Sequence, residues 1–229
     1  MARYNKPPHA HTSPTLLCAR ERNAHAHCCS ISLSLSTGLF LAYDYHPCAV
    51  SLEKYHFSMH PSYIPEDVLW SYITQLASGI RAIHAAGLAC RVVTLSKVIL
   101  TGRNRVRISG VAIKDVVSYD AHSKLPQYQV RRPHSPPVYQ CSLATLRRAQ
   151  TPQQEDILSL GKLILTLACK STSAVSNVIK SLEYVSAHYS PELCDFLRIT
   201  LAQSINYPTI DELCKIISTR MLREMEHLQ

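Results

Sequence analysis

The chain has 229 residues, 46% of them apolar and 17% charged, and its net charge of +8 favours an acidic partner, either nucleic acid or an acidic protein face. That length allows one large domain or two small ones with a proper core, and the apolar content argues against intrinsic disorder. No apolar run reaches the roughly 18 residues needed to cross a bilayer, and nine cysteines without a secretory signal point to reduced thiols in a reducing compartment.

Residues 1–30 carry prolines, scattered histidines and no hydrophobic period, and with the stretch up to 37 they read as a poorly ordered leader. His9, His11, Cys18, His25, His27, Cys28 and Cys29 invite a metal reading, but the paired CxxC and H-x3-5-H steps of zinc modules are missing, so no metal is expected. Ile31–Ala42 is too short and too serine-rich for a membrane span, and its upstream flank does not read as a signal peptide. Leu39–Tyr43 reads as a short buried strand that ends at a turn of His46 and Pro47.

Next comes the best-patterned stretch. Leu69, Tyr72, Ile73, Leu76, Ile80 and Ile83 have helical spacing and predict one buried stripe. Pro65 fits the first helical turn, Glu66 and Asp67 suit the positive end of the dipole, and Gly87 supplies the left-handed stop. Val98–Leu100 and Val106–Ile108, separated by Thr-Gly-Arg-Asn, predict a hairpin. Residues 114–150 are polar and proline-rich, with Arg131, Arg132, Arg147 and Arg148, and read as a surface segment. A second apolar helix covers the stretch around Asp156 to Cys169. Val175, Val178, Ile179, Leu182 and Val185 repeat at helical spacing. Ser190, Pro191 and Glu192 open a further helix that turns Leu193, Phe196, Leu197 and Leu201 inward. Thr209 and Glu212 have capping-box spacing and start the last helix, which runs through Ile216, Ile217, Met221, Met225 and Leu228.

A helix ending in IHAAGL, a short loop, a hairpin and a small-residue tripeptide together resemble the core of the protein-kinase fold. Leu39–Tyr43 takes the place of the last small-lobe strand, entering the hinge. Laid over the kinase pattern, Cys90, Arg91 and Val92 sit at H-R-D, Lys97 at the magnesium-binding Asn, and Gly110, Val111 and Ala112 at D-F-G. Asp156, Ser159 and Gly161 match D-x-W-S-x-G, with Leu158 at the tryptophan. Tyr207, Pro208, Thr209, Glu212 and Leu213 resemble R-P-T-x-x-E-L. The glycine-rich loop, the V-A-I-K lysine, the pairing glutamate helix and A-P-E are not found.

Phosphoryl transfer needs a carboxylate to orient the attacking hydroxyl and oxygen ligands to hold magnesium. Val92 cannot accept a proton, Gly110 has no ligand atom, and Lys97 opposes a metal by repulsion. The expectation is a non-enzyme. Cys90, Val92 and Val111 read as packing residues. Lys97 is either a solvated lysine or a cation that neutralises a phosphate directly. The family implies that Asp156 lies under the loop, accepting backbone N–H groups in a structural role that outlives catalysis.

The strings YDYHP, LWSYITQLASGIRAIHAAGLACRV, SKVILTGRNRVRI and QQEDILSLGKLILTLAC are similar to the pseudokinase portion of the regulatory subunit of the PAN poly(A) deadenylation complex, over roughly residues 40–229. The resemblance implies a mainly α fold, a kinase-like large lobe with a small β remnant of the small lobe, over residues 38–219. Residues 220–229 would start a coiled coil that is cut short. It implies a cytoplasmic, P-body-associated scaffold that recruits the catalytic nuclease subunit, forms homodimers, and works with poly(A)-binding protein or poly(A) RNA in shortening mRNA tails. It also implies ATP binding without catalysis. Only the hinge (Tyr43, Asp44, Tyr45 and His46) and Lys97 can be placed for that, so weak or no binding is expected. Two other readings stand beside the scaffold: an atypical protein kinase, and a basic RNA-binding module using Arg103, Arg105, Arg107, Arg131 and Arg132, whose hairpin arginines otherwise form a solvated face.

Overall fold

The computed structural model describes residues 29–35, 38–60, 62–111, 113–114, 151–202 and 207–227. Strands β1 (Cys29–Leu35) and β2 (Gly38–Tyr43) form an antiparallel hairpin. Strand β3 (Val50–Ser51), a π-helical turn (Lys54–Met59) and helix α1 (Glu66–Ala85) follow. Strands β4 (Val98–Gly102) and β5 (Arg105–Ile108) complete an antiparallel sheet in the order β3-β4-β5. After them come α2 (Pro152–Cys169), a 3-10 turn (Thr172–Asn177), α3 (Val178–His188), α4 (Pro191–Leu201) and α5 (Ile210–His227). No single helix among the described residues is long and apolar enough to cross a membrane. Arg131, Arg132 and most of the 114–150 segment lie outside the described residues, as do residues 1–28.

Local chemistry sets the helix ends. Pro65 is the residue that precedes α1 rather than part of its first turn. At the other end Gly87 takes φ 76°, its N–H donates to His84 O and the Leu88 N–H to Ile83 O, a Schellman stop. Thr151 and Gln154 cap α2 reciprocally, with Pro152 in the first turn. The Ser190 hydroxyl accepts from Leu193 N at the start of α4. Thr209 and Glu212 exchange backbone-to-side-chain bonds of 2.8 and 3.3 Å at the start of α5. The hairpin turns at Asn104, whose φ of 55° is one that asparagine tolerates.

Helix α1 is the centre of the core, packing against α2, α5 and β5. The Leu69, Tyr72, Ile73, Leu76 and Ile80 side chains are all fully buried, meeting Leu160, Ile164, Phe196 and Leu213 from the later helices. At Gly161 α2 and α4 approach too closely for a side chain: a Cβ there would lie 2.5 Å from Thr200 Oγ1 and 2.9 Å from its Cβ. The β5 edge is closed by a side chain. Gln75 accepts from Val106 N at 3.0 Å and donates to Asn104 O at 2.7 Å, so its amide takes the place of a neighbouring strand.

Three expectations change. Strand β1 lies inside the stretch read as a disordered leader; its Ile31, Leu33 and Leu35 alternate with Ser30, Ser32 and Ser34, a strand period that the serine content hides. Ile179 is 74% exposed, because α3 begins only at Val178 after a 3-10 turn and its buried positions are Ser181 and Val185. Arg220, where a coiled coil was expected to begin, packs on the lobe: α5 runs through it without a break and its guanidinium lies 4.6 Å over the Trp70 ring.

That guanidinium also pairs with Glu192 and lies 3.5 Å from Glu66. Glu66 in turn accepts from Trp70 Nε1 at 2.9 Å, Ser190 N at 2.8 Å and Ser190 Oγ at 2.5 Å. Burial alone would raise the Glu66 pKa, but these donors and Arg220 outweigh it and hold the carboxyl below its ordinary value. One network thus joins the starts of α1 and α4 to the middle of α5.

His56, in the π-helical turn, is buried and lies 3.1 Å from Tyr72 Oη, while Lys170 Nζ donates to the carbonyls of His56 and His60. Burial, with Lys170 and His60 as further causes, lowers the His56 pKa from 6.5 to about 4. The fold prefers the neutral ring, so this contribution is complete above the unfolded value of 6.5 and is lost as pH falls towards 4. Unfolding titrations should show up to about 3 kcal/mol lost across that window, and His56→Gln should flatten the dependence. Gly161→Ala should cost about 1–3 kcal/mol through overpacking; an unchanged melting temperature would refute the close approach to Thr200.

Candidate functional site

The loop from Ala86 to Lys97 joins α1 to β4, and a single carboxylate positions it. Asp156, 1% exposed on α2, accepts from Cys90 N and Arg91 N, each at 2.7 Å, and lies 2.9 Å from His84 Nε2. Gln153, one turn earlier, donates to Leu88 O at 3.0 Å and to His84 O at 3.4 Å. Arg91 itself takes φ 56°, a left-handed conformation that an arginine adopts only when its surroundings impose it.

On this loop Cys90 is buried, and burial, followed by the Asp156 carboxylate, pushes its thiol well above the ordinary range, which leaves it inert. Val92 packs against the core. Lys97 is exposed at the start of β4, and its carbonyl accepts from Ser109 N at 2.8 Å. That bond brings the Lys97 backbone beside Gly110, which takes φ 74°. The two positions at which a kinase binds magnesium are therefore adjacent, occupied by a cation and a glycine.

At the hinge, half-buried Tyr43 reaches across to the same turn: its hydroxyl donates to Val111 O at 3.0 Å. Asp44 is exposed, Tyr45 is 85% exposed and His46 is half-buried. Among the described residues no hydrogen bond or ion pair links Asp44 or Tyr45 to Lys97. The structure thus gathers Cys90, Arg91 and Asp156 into one cluster, places Tyr43, Lys97 and Gly110 around one turn, and leaves the exposed part of the hinge apart. No three His, Cys, Asp or Glu side chains group to hold a metal among the described residues.

Sequence reasoning missed His84, Gln153, Gln75 and the Tyr43–Val111 bond. Only His84 left a signal, as the polar residue in the last turn of α1. The rest depend on pairs of residues far apart in sequence. What the cluster can do chemically is limited: it holds a loop in shape, with neither a base at Val92 nor an oxygen ligand at Gly110.

Replacing Asp156 with alanine would strand two buried backbone N–H groups and the His84 ring. A stability loss of about 3 kcal/mol or more is expected, read from the denaturant midpoint. Asp156→Asn should lose less, since an amide oxygen still accepts. A negligible loss for the alanine variant would mean that the carboxylate does not hold the loop.

No family model matches the chain. The Dictyostelium discoideum protein named PAN2-PAN3 deadenylation complex subunit pan3 is 40% identical over 196 residues, 84% of this chain and 23% of that protein. Its Xenopus tropicalis counterpart is 29% identical over 220 residues, 83% of this chain and 25% of that protein. The chain therefore spans about a quarter of the length of these relatives. Among solved structures, the Neurospora crassa PAN3 pseudokinase matches with TM-score 0.70 and 27% identity, over 90% of this chain and 48% of that one. The Mycobacterium tuberculosis PknI kinase domain, at TM-score 0.58 and 15% identity over 89% of this chain and 74% of its own, shares the fold alone. A kinase-like large lobe with a remnant of the small one, held by Asp156 and emptied at Val92 and Gly110, places this chain in the PAN3 family of pseudokinases.

Proposed function

We propose that the chain is a non-catalytic scaffold of a poly(A)-nuclease complex of the PAN2-PAN3 kind, supporting the shortening of mRNA tails by recruiting the catalytic nuclease. The observation that carries this reading is a contrast within one site: Asp156 still fixes the backbone of Cys90 and Arg91, while the carboxylate positions of a kinase are Val92 on the same loop and Gly110 after β5. A loop kept in shape without its chemistry serves recognition rather than turnover. The scaffold acts in the cytoplasm, including P-bodies, and as a homodimer that cooperates with poly(A)-binding protein.

ATP binding, where it occurs, needs no metal. Lys97 supplies the positive charge beside Gly110 that magnesium supplies in a kinase, and Tyr43 to His46 supply the hinge. With so few contacts, affinity is weak.

Two measurements test this reading. Co-precipitation with a PAN2-type nuclease should succeed for the protein carrying this lobe and weaken for Asp156→Ala; equal recovery would remove the lobe from recruitment. Titration with ATP should give a dissociation constant weaker than micromolar, unchanged by magnesium and weakened further by Lys97→Ala. Transfer of labelled phosphate that disappears with Lys97→Ala would instead make the chain an atypical kinase.

A further inference from the structure

We infer that the outer face of the β3-β4-β5 sheet docks an acidic, extended polypeptide segment of another protein. The inference stands on charge and register, and does not depend on which complex the lobe serves. Residues 86–114 contain Arg91, Lys97, Arg103, Arg105, Arg107 and Lys114, and no acidic or aromatic residue. Burial alternates along β5: Val106 and Ile108 enter the core, and Arg105 and Arg107 lie on the opposite face. Ile99 pairs with Arg107, and Ser51 with Ile99, so this face crosses all three strands. Lys97, two residues before Ile99, is exposed at its end.

Among the described residues, no carboxylate pairs with Lys97, Arg103, Arg105 or Arg107. The acids of the flanking segment, Asp44 and Glu53, are exposed and pair with none of them. Arg107 Nε is buried and has no acceptor. That atom is enclosed by the protein, so a ligand meets Arg107 through the terminal nitrogens of its guanidinium.

The repeat favours a peptide. Arg105 and Arg107 are two residues apart on a strand, about 6.6 Å, which is also the distance between alternate side chains on one face of an extended peptide. Their guanidinium forks take carboxylates two bonds at a time. Proteins that bind single-stranded nucleic acid add aromatic platforms to their phosphate contacts, and this stretch has none. Since Gln75 already closes the β5 edge, a peptide that meets Arg105 and Arg107 lies over their face rather than adding a strand beside β5.

The test uses the full chain with three labelled probes: a peptide with glutamate at alternate positions, the same composition with its glutamates in one block, and an oligo(A) of equal charge. The alternating peptide should bind best, and its affinity should fall with added salt. Arg105→Gln with Arg107→Gln should weaken it about tenfold or more, whereas Arg198→Gln, on the distant α4, should leave it unchanged. Should the glutamine pair fail to fold, Arg105→Lys with Arg107→Lys keeps the charge and loses the fork, and should weaken binding about threefold. Absence of binding, equal binding of the block peptide, no loss in the lysine pair, or tighter binding of oligo(A) that the same variants abolish would each overturn the proposal.

Discussion

A buried carboxylate with three partners is the constraint on which this lobe depends. Asp156 is withdrawn from water, which is unfavourable for an isolated charge, and is tolerable only because Cys90 N, Arg91 N and His84 surround it. The bonds act in both directions. The helix needs the loop to satisfy its aspartate, and the loop needs the aspartate to satisfy two backbone donors that would otherwise be buried without acceptors. Neither partner can be altered alone at little cost. This mutual dependence explains how a catalytic framework persists when its chemistry is gone: among the described residues no buried polar group relies on a carboxylate at Val92 or Gly110, whereas two backbone donors rely on Asp156.

The lower half of the lobe uses the same arrangement at a second point. Arg220 stacks on Trp70 and reaches Glu192 and Glu66, and Glu66 is further bonded to Ser190. Ser190 is also the cap of α4, so one hydroxyl both starts a helix and locks it to α1. Gly161 lets α2 and α4 come together where any side chain would collide with Thr200. Apolar burial supplies the bulk of the stabilisation, but it is not directional; these few polar contacts choose one packing among many.

Much of this architecture was legible in sequence because it is written in local patterns. The stripe of α1 from Leu69 to Ile83, the caps at Ser190 and Thr209, the stop at Gly87 and the Asn104 turn each need only a window of a few residues. The Asp156 cluster was legible for a different reason, a resemblance of motif. What escaped notice lies at long range or against the pattern. Gln75 and Val106 are 31 residues apart, and Tyr43 and Val111 are joined across 68. The β1 strand was masked by its serines, and Arg220 resembles any surface arginine until Trp70 and the two glutamates are placed around it. Ile179 shows the converse error: a helical spacing of apolar residues, read without its 3-10 prelude, was given one register too many.

The Gln75 amide has a further implication. Proteins built to assemble with others run the risk of assembling with anything, and a bare strand is the least discriminating place to join. Here a single amide borrowed from a helix imitates one peptide unit and occupies that place permanently. Whatever meets this lobe at β5 must recognise its side chains, and selectivity at that strand is thereby built in before any partner arrives.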